Sequence, residues 1–239
     1  MKRRALVLFA AVLAAAGLVG CSTLFSSKKD PSKFYVLTPV PADTAPVAPV
    51  LPDIALGVFS PEFPQYLDRP QLVTRIGSNQ RQINEYQRWS EPVQSGFARV
   101  LTEDLGTLAG TNKIATFPLV RVFDHEFEIY TQIYQFDGAL GGEATLRVRW
   151  RITGSNGKPN FVVRDATYNA PVAAQADPYA GYVATLSQLI GSMAREIVAA
   201  LPEARAAETK EATDKAQAGD DKAKADAAAT AVTPAPASP

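Results

Sequence analysis

Cysteine and histidine are nearly absent from this chain of 239 residues: Cys21 and His125 are the only ones. A single cysteine cannot close an intrachain disulfide. One cysteine and one histidine also leave too few ligands for a metal site of the His/Cys type. No glycine-rich phosphate loop, no Gly-x-Ser-x-Gly elbow and no His-Glu-x-x-His pair occurs. No catalytic residue, metal or cofactor is therefore assigned. A carboxylate pair leaves no such signature, so a periplasmic enzyme stays as the weakest alternative. An excess of either charge is missing too, with 24 Lys and Arg against 24 Asp and Glu. That balance points away from nucleic acid.

The one long apolar run stands at the start. Lys2, Arg3 and Arg4 precede residues 5–19, which are apolar but short for a membrane span. Leu18-Val19-Gly20-Cys21 has the form of a lipobox, so residues 1–20 read as a lipoprotein signal peptide and Cys21 as the lipid attachment site. A free cysteine behind an ordinary signal peptide is the plainer reading. The position of the sole cysteine at the boundary weighs against it. Each buried acyl CH₂ contributes roughly 0.8 kcal/mol, so several chains anchor stably. Ser22, in place of the aspartate that retains lipoproteins in the inner membrane, favours the outer membrane. Cleavage removes three cations and no acid, leaving the mature chain with a small negative charge.

Residues 21–32 form a polar tether. A β-type run, KFYVL, follows at 33–37. Five prolines within 38–53 exclude helix or inner strand and predict an extended connector. Three more β-type runs span 54–59, 71–76 and 81–86, with the turn-rich piece around Pro61, Pro64 and Pro70 between the first two.

Val93, Phe97, Val100, Leu101, Leu105 and Leu108 make one apolar stripe at helical spacing. Ser90 is the expected N-cap, with Pro92 in the first turn and Gly110 as the stop. Residues 113–117 and 119–137 read as strands. In the second, alternation puts Phe123, Phe127, Ile129 and Ile133 on one face and Val122, Tyr130, Tyr134 and Phe136 on the other. The acids Asp124, Glu126 and Glu128 share that second face and are expected to be solvated. His125 reads as a packed or surface residue.

Residues 143–153 alternate strictly. Ala144, Leu146, Val148, Trp150 and Ile152 face one way, and Arg147, Arg149 and Arg151 the other. With 161–168 as the returning partner this is a β-meander. The arginine stripe is either a solvated face with cross-strand salt bridges or a surface for a subunit or an acidic partner. Asp177 and Pro178 open a second helix, with Tyr182, Val183, Leu186, Leu189, Ile190, Met193, Ile197 and Val198 on its apolar face. After Pro202 no large apolar residue appears except Val232, so 202–239 reads as a disordered tail.

The expected fold is α/β. Residues 33–201 form a single domain, a mixed β-sheet with a meander and two amphipathic helices packed on it.

Tyr66-Leu67-Asp68-Arg69-Pro70-Gln71, with Val73 and Arg75, then Asn84, Trp89, Glu91 and Pro92, resembles one family. It is the PqiC-like auxiliary lipoproteins of bacterial lipid transport, or ABC-type transport auxiliary lipoproteins. The resemblance covers nearly all of 33–201, diminishes in the 38–53 connector and is absent from the tail. Residues 123–130 are richer in acids and aromatics than the family pattern. The resemblance implies a non-catalytic subunit of an MCE-type intermembrane phospholipid transport system that supports membrane integrity. It would be lipid-anchored at the periplasmic face of the outer membrane, form a ring of identical subunits and dock an MCE-domain partner. The competing class is a structural envelope lipoprotein with no transport role. Turn chemistry needs Asp68 and Pro70 but not Arg69, so Arg69 is expected to bind Asp68, Glu91 or a neighbouring subunit and fix the loop near Trp89 and Glu91. Asp68, Arg69, Trp89 and Glu91, with Arg147, Arg149 and Arg151, are the candidate assembly residues.

Overall fold

Strict alternation is satisfied only by a sheet with one face packed and one open, and the strands at the centre of the fold obey it. In the computed structural model, which describes residues 30–47, 53–117, 124–155 and 159–231, eight strands and two helices follow in the expected order. They are β1 (Lys33–Tyr35), β2 (Leu56–Phe59), β3 (Gln71–Arg75), β4 (Arg81–Trp89), α1 (Val93–Ala109), β5 (Ile114–Phe117), β6 (Phe127–Gly138), β7 (Glu143–Gly154), β8 (Asn160–Pro171) and α2 (Pro178–Ala231). All belong to one unit that begins at Lys33, so the fold is a single α/β domain.

The strands divide between two sheets. Five form the order β5-β2-β6-β7-β8, and three form β1-β4-β3. In the larger sheet β2 runs parallel to both β5 and β6, while β6, β7 and β8 make the antiparallel meander. In the smaller one β3 and β4 are a hairpin and β1 adds in parallel to β4. The KFYVL run thus reaches a sheet edge from across the connector.

Both helices cover one face of the larger sheet, α1 over β2 and β5, α2 over β6, β7 and β8, and they pack on each other. Every residue of both predicted apolar stripes is buried, opposite Ala144, Leu146, Val148, Trp150 and Ile152 of β7. Phe136 departs from its expected face. The register of β6 shifts between Ile133 and Gln135, and such a bulge reverses the alternation beyond it. Phe136 therefore joins the core, edge-on to Phe97 at 5.4 Å.

The helix ends differ in part from expectation. Pro92, with extended ψ 131°, is the cap residue of α1, and it makes no side-chain cap bond; Ser90 is not the cap. Gly110 closes the helix in the left-handed conformation, φ 69°, where glycine has no steric cost. At α2, Asp177 Oδ1 accepts the backbone N–H groups of Tyr179 and Ala180. A Cβ at Gly181 would lie 2.0 Å from the Ala173 carbonyl, so close approach of another backbone requires glycine there.

The connector is irregular over residues 36–47 and is pinned along its length. Thr38 N–H donates to Ser187 Oγ, Val40 N–H to Asp104 Oδ1 at 2.7 Å, and Val47 N–H to the Leu108 carbonyl.

The predicted disordered tail is corrected over residues 202–231. The helix continues through Pro202 to Ala231. Alanine, glutamate and lysine are strong helix formers, and a formed helix can extend without an apolar face once its first turns are packed. Packing ends early, however. Leu201 and Ala204 are buried, and beyond Ala207 the described side chains lie at the surface.

Candidate interaction surfaces

The loop between β2 and β3 folds as a 3₁₀ turn over Gln65–Leu67, set by Pro64 ahead of it and stopped before Pro70. Leu67 is buried and holds the turn on the core. Arg69 follows, and its Nε donates to the Tyr66 carbonyl at 2.9 Å. The Trp89 N–H donates to the Pro70 carbonyl at 2.7 Å. These bonds bring Asp68, Arg69 and Pro70 beside Trp89, Ser90 and Glu91, and the two segments line a cleft of about 320 Å³.

The structure therefore brings together the four sequence-predicted residues of this corner. Their partners differ from expectation. Glu91 is taken by Arg99, whose Nη2 donates to Oε1 at 2.7 Å and to the Leu37 carbonyl at 2.9 Å. Arg69 bonds within its own turn. Gly96 lies beneath this pair, where a Cβ would stand 3.0 Å from Glu91 Oε1. Arg99 is not among the sequence-predicted site residues. Its sole sequence clue is Glu103 one turn on, to which it also bonds.

The second surface is the open face of the larger sheet, away from the helices. Arg149 forms two parallel bonds to Asp165 at 2.8 and 2.7 Å across the β7–β8 ladder. The hydrogen bond from Arg149 holds the Asp165 carboxyl below its ordinary range. Arg151 lies 4.5 Å above the Tyr130 ring and Arg147 5.6 Å above the Tyr134 ring. The stripe thus combines one cross-strand ion pair with two cation–π contacts.

At the level of Arg151 the aromatic row continues over three more strands. Tyr130 stacks on Phe59 at 4.3 Å, and Phe59 on Phe117 at 4.9 Å. A cleft of about 270 Å³ opens beside it, lined by Ser60, Glu62, Gln132, Arg149 and Arg151 among others.

Beneath the row, Glu128 corrects the expectation of a solvated acid. It is buried and accepts from the Tyr130 hydroxyl at 2.9 Å, with His125 Nε2 2.8 Å from its other oxygen. Burial, reinforced by the bond to Glu128, pushes the Tyr130 hydroxyl up to about 12. The neighbour that sequence alternation missed is His125, which lies before β6 begins and so escapes the strand periodicity. Glu126 is also engaged, through two 2.9 Å bonds from Arg205 of α2. Among the described residues no group of three or more His, Cys, Asp or Glu is placed to hold a metal ion. Cys21, Val122 and Phe123 lie outside the described residues.

The family model for the ABC-type transport auxiliary lipoprotein component matches residues 35–198. The chain belongs to this family. Its two surfaces accordingly belong to an auxiliary lipoprotein component of a transport system. A search of curated proteins finds no match. Among solved structures, a Xanthomonas campestris protein of the DUF330 family is similar with a TM-score of 0.60 and 14% identity, covering 75% of this chain and 99% of that one. An uncharacterized protein is similar with a TM-score of 0.57 and 18% identity, over 71% of this chain and 98% of that one. At these identities the likeness speaks to the fold.

Proposed function

We propose that this auxiliary lipoprotein is a non-catalytic subunit of an MCE-type intermembrane phospholipid transporter. Cys21 anchors it to the periplasmic face of the outer membrane. Identical subunits form a ring that docks the MCE-domain partner and so supports membrane integrity. The observation that carries this reading is the family match, which spans both helices' packed stripes and all eight strands apart from the first two residues of β1. The physical character of the surfaces supports it. Both clefts carry arginine and aromatic side chains, Arg69 and Trp89 in one and Tyr130, Arg149 and Arg151 in the other, residue types enriched where proteins meet.

The test is co-purification from cross-linked cell envelopes with the transporter's MCE-domain protein, comparing the native chain with Arg149→Glu/Arg151→Glu and with Cys21→Ala. Native protein should retain the partner and fractionate with outer membranes. The double arginine variant should stay anchored and lose the partner. Cys21→Ala should leave the outer-membrane fraction. Absence of the MCE protein from native complexes would return the protein to the class of structural envelope lipoproteins.

A further inference from the structure

We infer that the outer side of the three-stranded sheet, with the turns next to it, is a membrane-contact surface lying on the interface of the bilayer that holds the lipid anchor. The inference rests on the reading of Cys21 as that anchor.

The exposed apolar side chains carry it. Phe34 is 62% exposed, Ile76 55%, Tyr86 54% and Ile83 49%. Phe34 pairs with Arg88 across the β1–β4 ladder. The register of β4 against β3 jumps from Leu72↔Asn84 to Gln71↔Arg88. Three residues of β4 thus have no counterpart, and the alternation reverses. Ile83 before the jump therefore shares a side with Arg88 and Phe34, and Tyr86, within the jump and two residues before Arg88, is exposed next to them. Ile76 stands at the β3–β4 turn, and Leu140, also exposed, in the neighbouring β6–β7 turn.

The path of the chain names the occupant. Parallel strands begin at the same end of a sheet. Lys33 pairs with Gln87, so the chain enters β1 beside the Tyr86–Arg88 part of β4, running in the same direction as β4 does from Arg81. Twelve positions separate Cys21 from Lys33, a reach of at most about 40 Å. Phe34 and Tyr86 therefore lie where the tether joins the domain, and the Ile83 and Ile76 end of β4 is about 20 Å further along at roughly 3.3 Å per residue, within that reach. Aromatic and aliphatic side chains at that position suit the headgroup–acyl boundary.

The charges nearby define the kind of contact. Lys33 is paired with Asp177 and Arg88 with Glu85. Two cations near the patch are thus paired within the domain, while Arg75, next to Ile76, donates to the Glu143 carbonyl; the apolar side chains, not the charges, are what distinguish this surface. The surface fits a bilayer through its apolar boundary, whatever the headgroup charge.

The lone native cysteine makes the experiment clean, since lipidation consumes it. Ile76→Cys and Tyr86→Cys in the full lipidated chain are labelled with an environment-sensitive nitrobenzoxadiazole dye. Asn112→Cys is the control, exposed at the opposite end of the five-stranded sheet. Each is reconstituted in phosphatidylcholine vesicles, with and without phosphatidylglycerol, and with doxyl-lipid quenchers. Emission at 76 and 86 should shift to the blue, rise about twofold and be quenched equally in both vesicle types, as for a probe in the interface. The label at 112 should not respond. Protein that floats with the vesicles while the labels at 76 and 86 stay silent overturns the inference and leaves the anchor standing. A response that grows with protein concentration without vesicles assigns the patch to a second copy and also overturns it. Protein that does not float removes the anchor reading and this inference with it.

Discussion

Arg81 and Asp137 tie the two sheets together: Nε of Arg81, at the start of β4, lies 2.6 Å from Oδ2 of Asp137, near the end of β6. The Asp137 side chain is fully buried and the arginine partly open. The Tyr66 hydroxyl donates to the same oxygen at 3.1 Å and Gln135 to the other at 2.9 Å. Burial first, then the Asp137 charge, pushes the Tyr66 hydroxyl up to about 12. A carboxylate buried this deeply persists only because it is paired and hydrogen-bonded. The three-stranded sheet thus takes its position from a polar joint as well as from apolar packing.

Arg81→Ala should therefore destabilise the domain by about 2–3 kcal/mol, below the usual range for breaking a buried pair because Tyr66 and Gln135 remain. Urea unfolding measures it. Combining Arg81→Ala with Asp137→Asn should recover part of the loss, since no unpaired charge then stays inside. A loss under about 0.5 kcal/mol in Arg81→Ala would show that the neutral donors suffice.

Asp104 gives a pH dependence. It is fully buried in α1, its Oδ1 accepts from Val40 N–H, and its Oδ2 has no hydrogen-bond partner. Burial pushes its carboxyl up to about 6 from 3.8, against the opposing bond from Val40 and the charge of Arg195. A raised folded value means that the folded state binds the proton more tightly than the unfolded chain. This contribution to stability is complete below about pH 4 and is lost as pH rises through 6, at most about 3 kcal/mol by linkage. Asp104→Asn keeps an oxygen for Val40 and carries no charge. It should unfold about 1–2 kcal/mol later than native protein at pH 7.5, and the gain should shrink towards pH 5. A difference constant across that range, measured by denaturant titration, would assign the effect to packing alone.

What the sequence could reveal followed from whether a residue's environment repeats along its own element. Val93 to Leu108 and Tyr182 to Val198 each face one layer through several turns, so helical spacing found them. The alternation in β7 separated its core residues from Arg147, Arg149 and Arg151 for the same reason. Phe136 escaped because a bulge interrupts the period of β6. The division into two sheets escaped because periodicity says which face is buried and nothing about which strand pairs with which. Arg99 and His125 escaped because their partners, Glu91 and Glu128, come from beyond their own element. The corner of Asp68, Arg69, Trp89 and Glu91 was legible as a juxtaposition, and its bonding pattern was not.

The long C-terminal helix separates packing from helix formation. Glu203 pairs with Arg164 and Arg205 with Glu126, while beyond Ala207 the described residues lie at the surface. A chain ending after Ala207 should melt within about 2 °C of native protein. One ending after Ala200 loses Leu201, Ala204 and both ion pairs, and should melt several degrees lower, at roughly 2–4 °C per kcal/mol. Equal losses in the two truncations, measured by differential scanning calorimetry, would mean that the outer helix contributes to stability after all.

Arg69 and Arg99 bond to different parts of one corner and should fail differently. Arg99 joins Glu91 to the Leu37 carbonyl and so fastens the connector to the start of α1. Its loss should lower stability by about 1 kcal/mol, taken low because the guanidinium is more than a third exposed. Arg69 spends one donor on the Tyr66 carbonyl, and a guanidinium carries five in a planar fork. Arg69 lines the cleft beside Asp68 and Trp89, where a neighbouring subunit's carboxylate could be held in two bonds. Arg69→Ala and Arg69→Lys should therefore both weaken self-association of the anchorless chain while leaving its unfolding nearly unchanged, because lysine keeps the charge and loses the fork. Arg99→Ala should do the reverse. Sedimentation velocity and thermal unfolding on the same three proteins separate the two roles. Arg69 variants that sediment as native protein does would confine this residue to shaping its own turn.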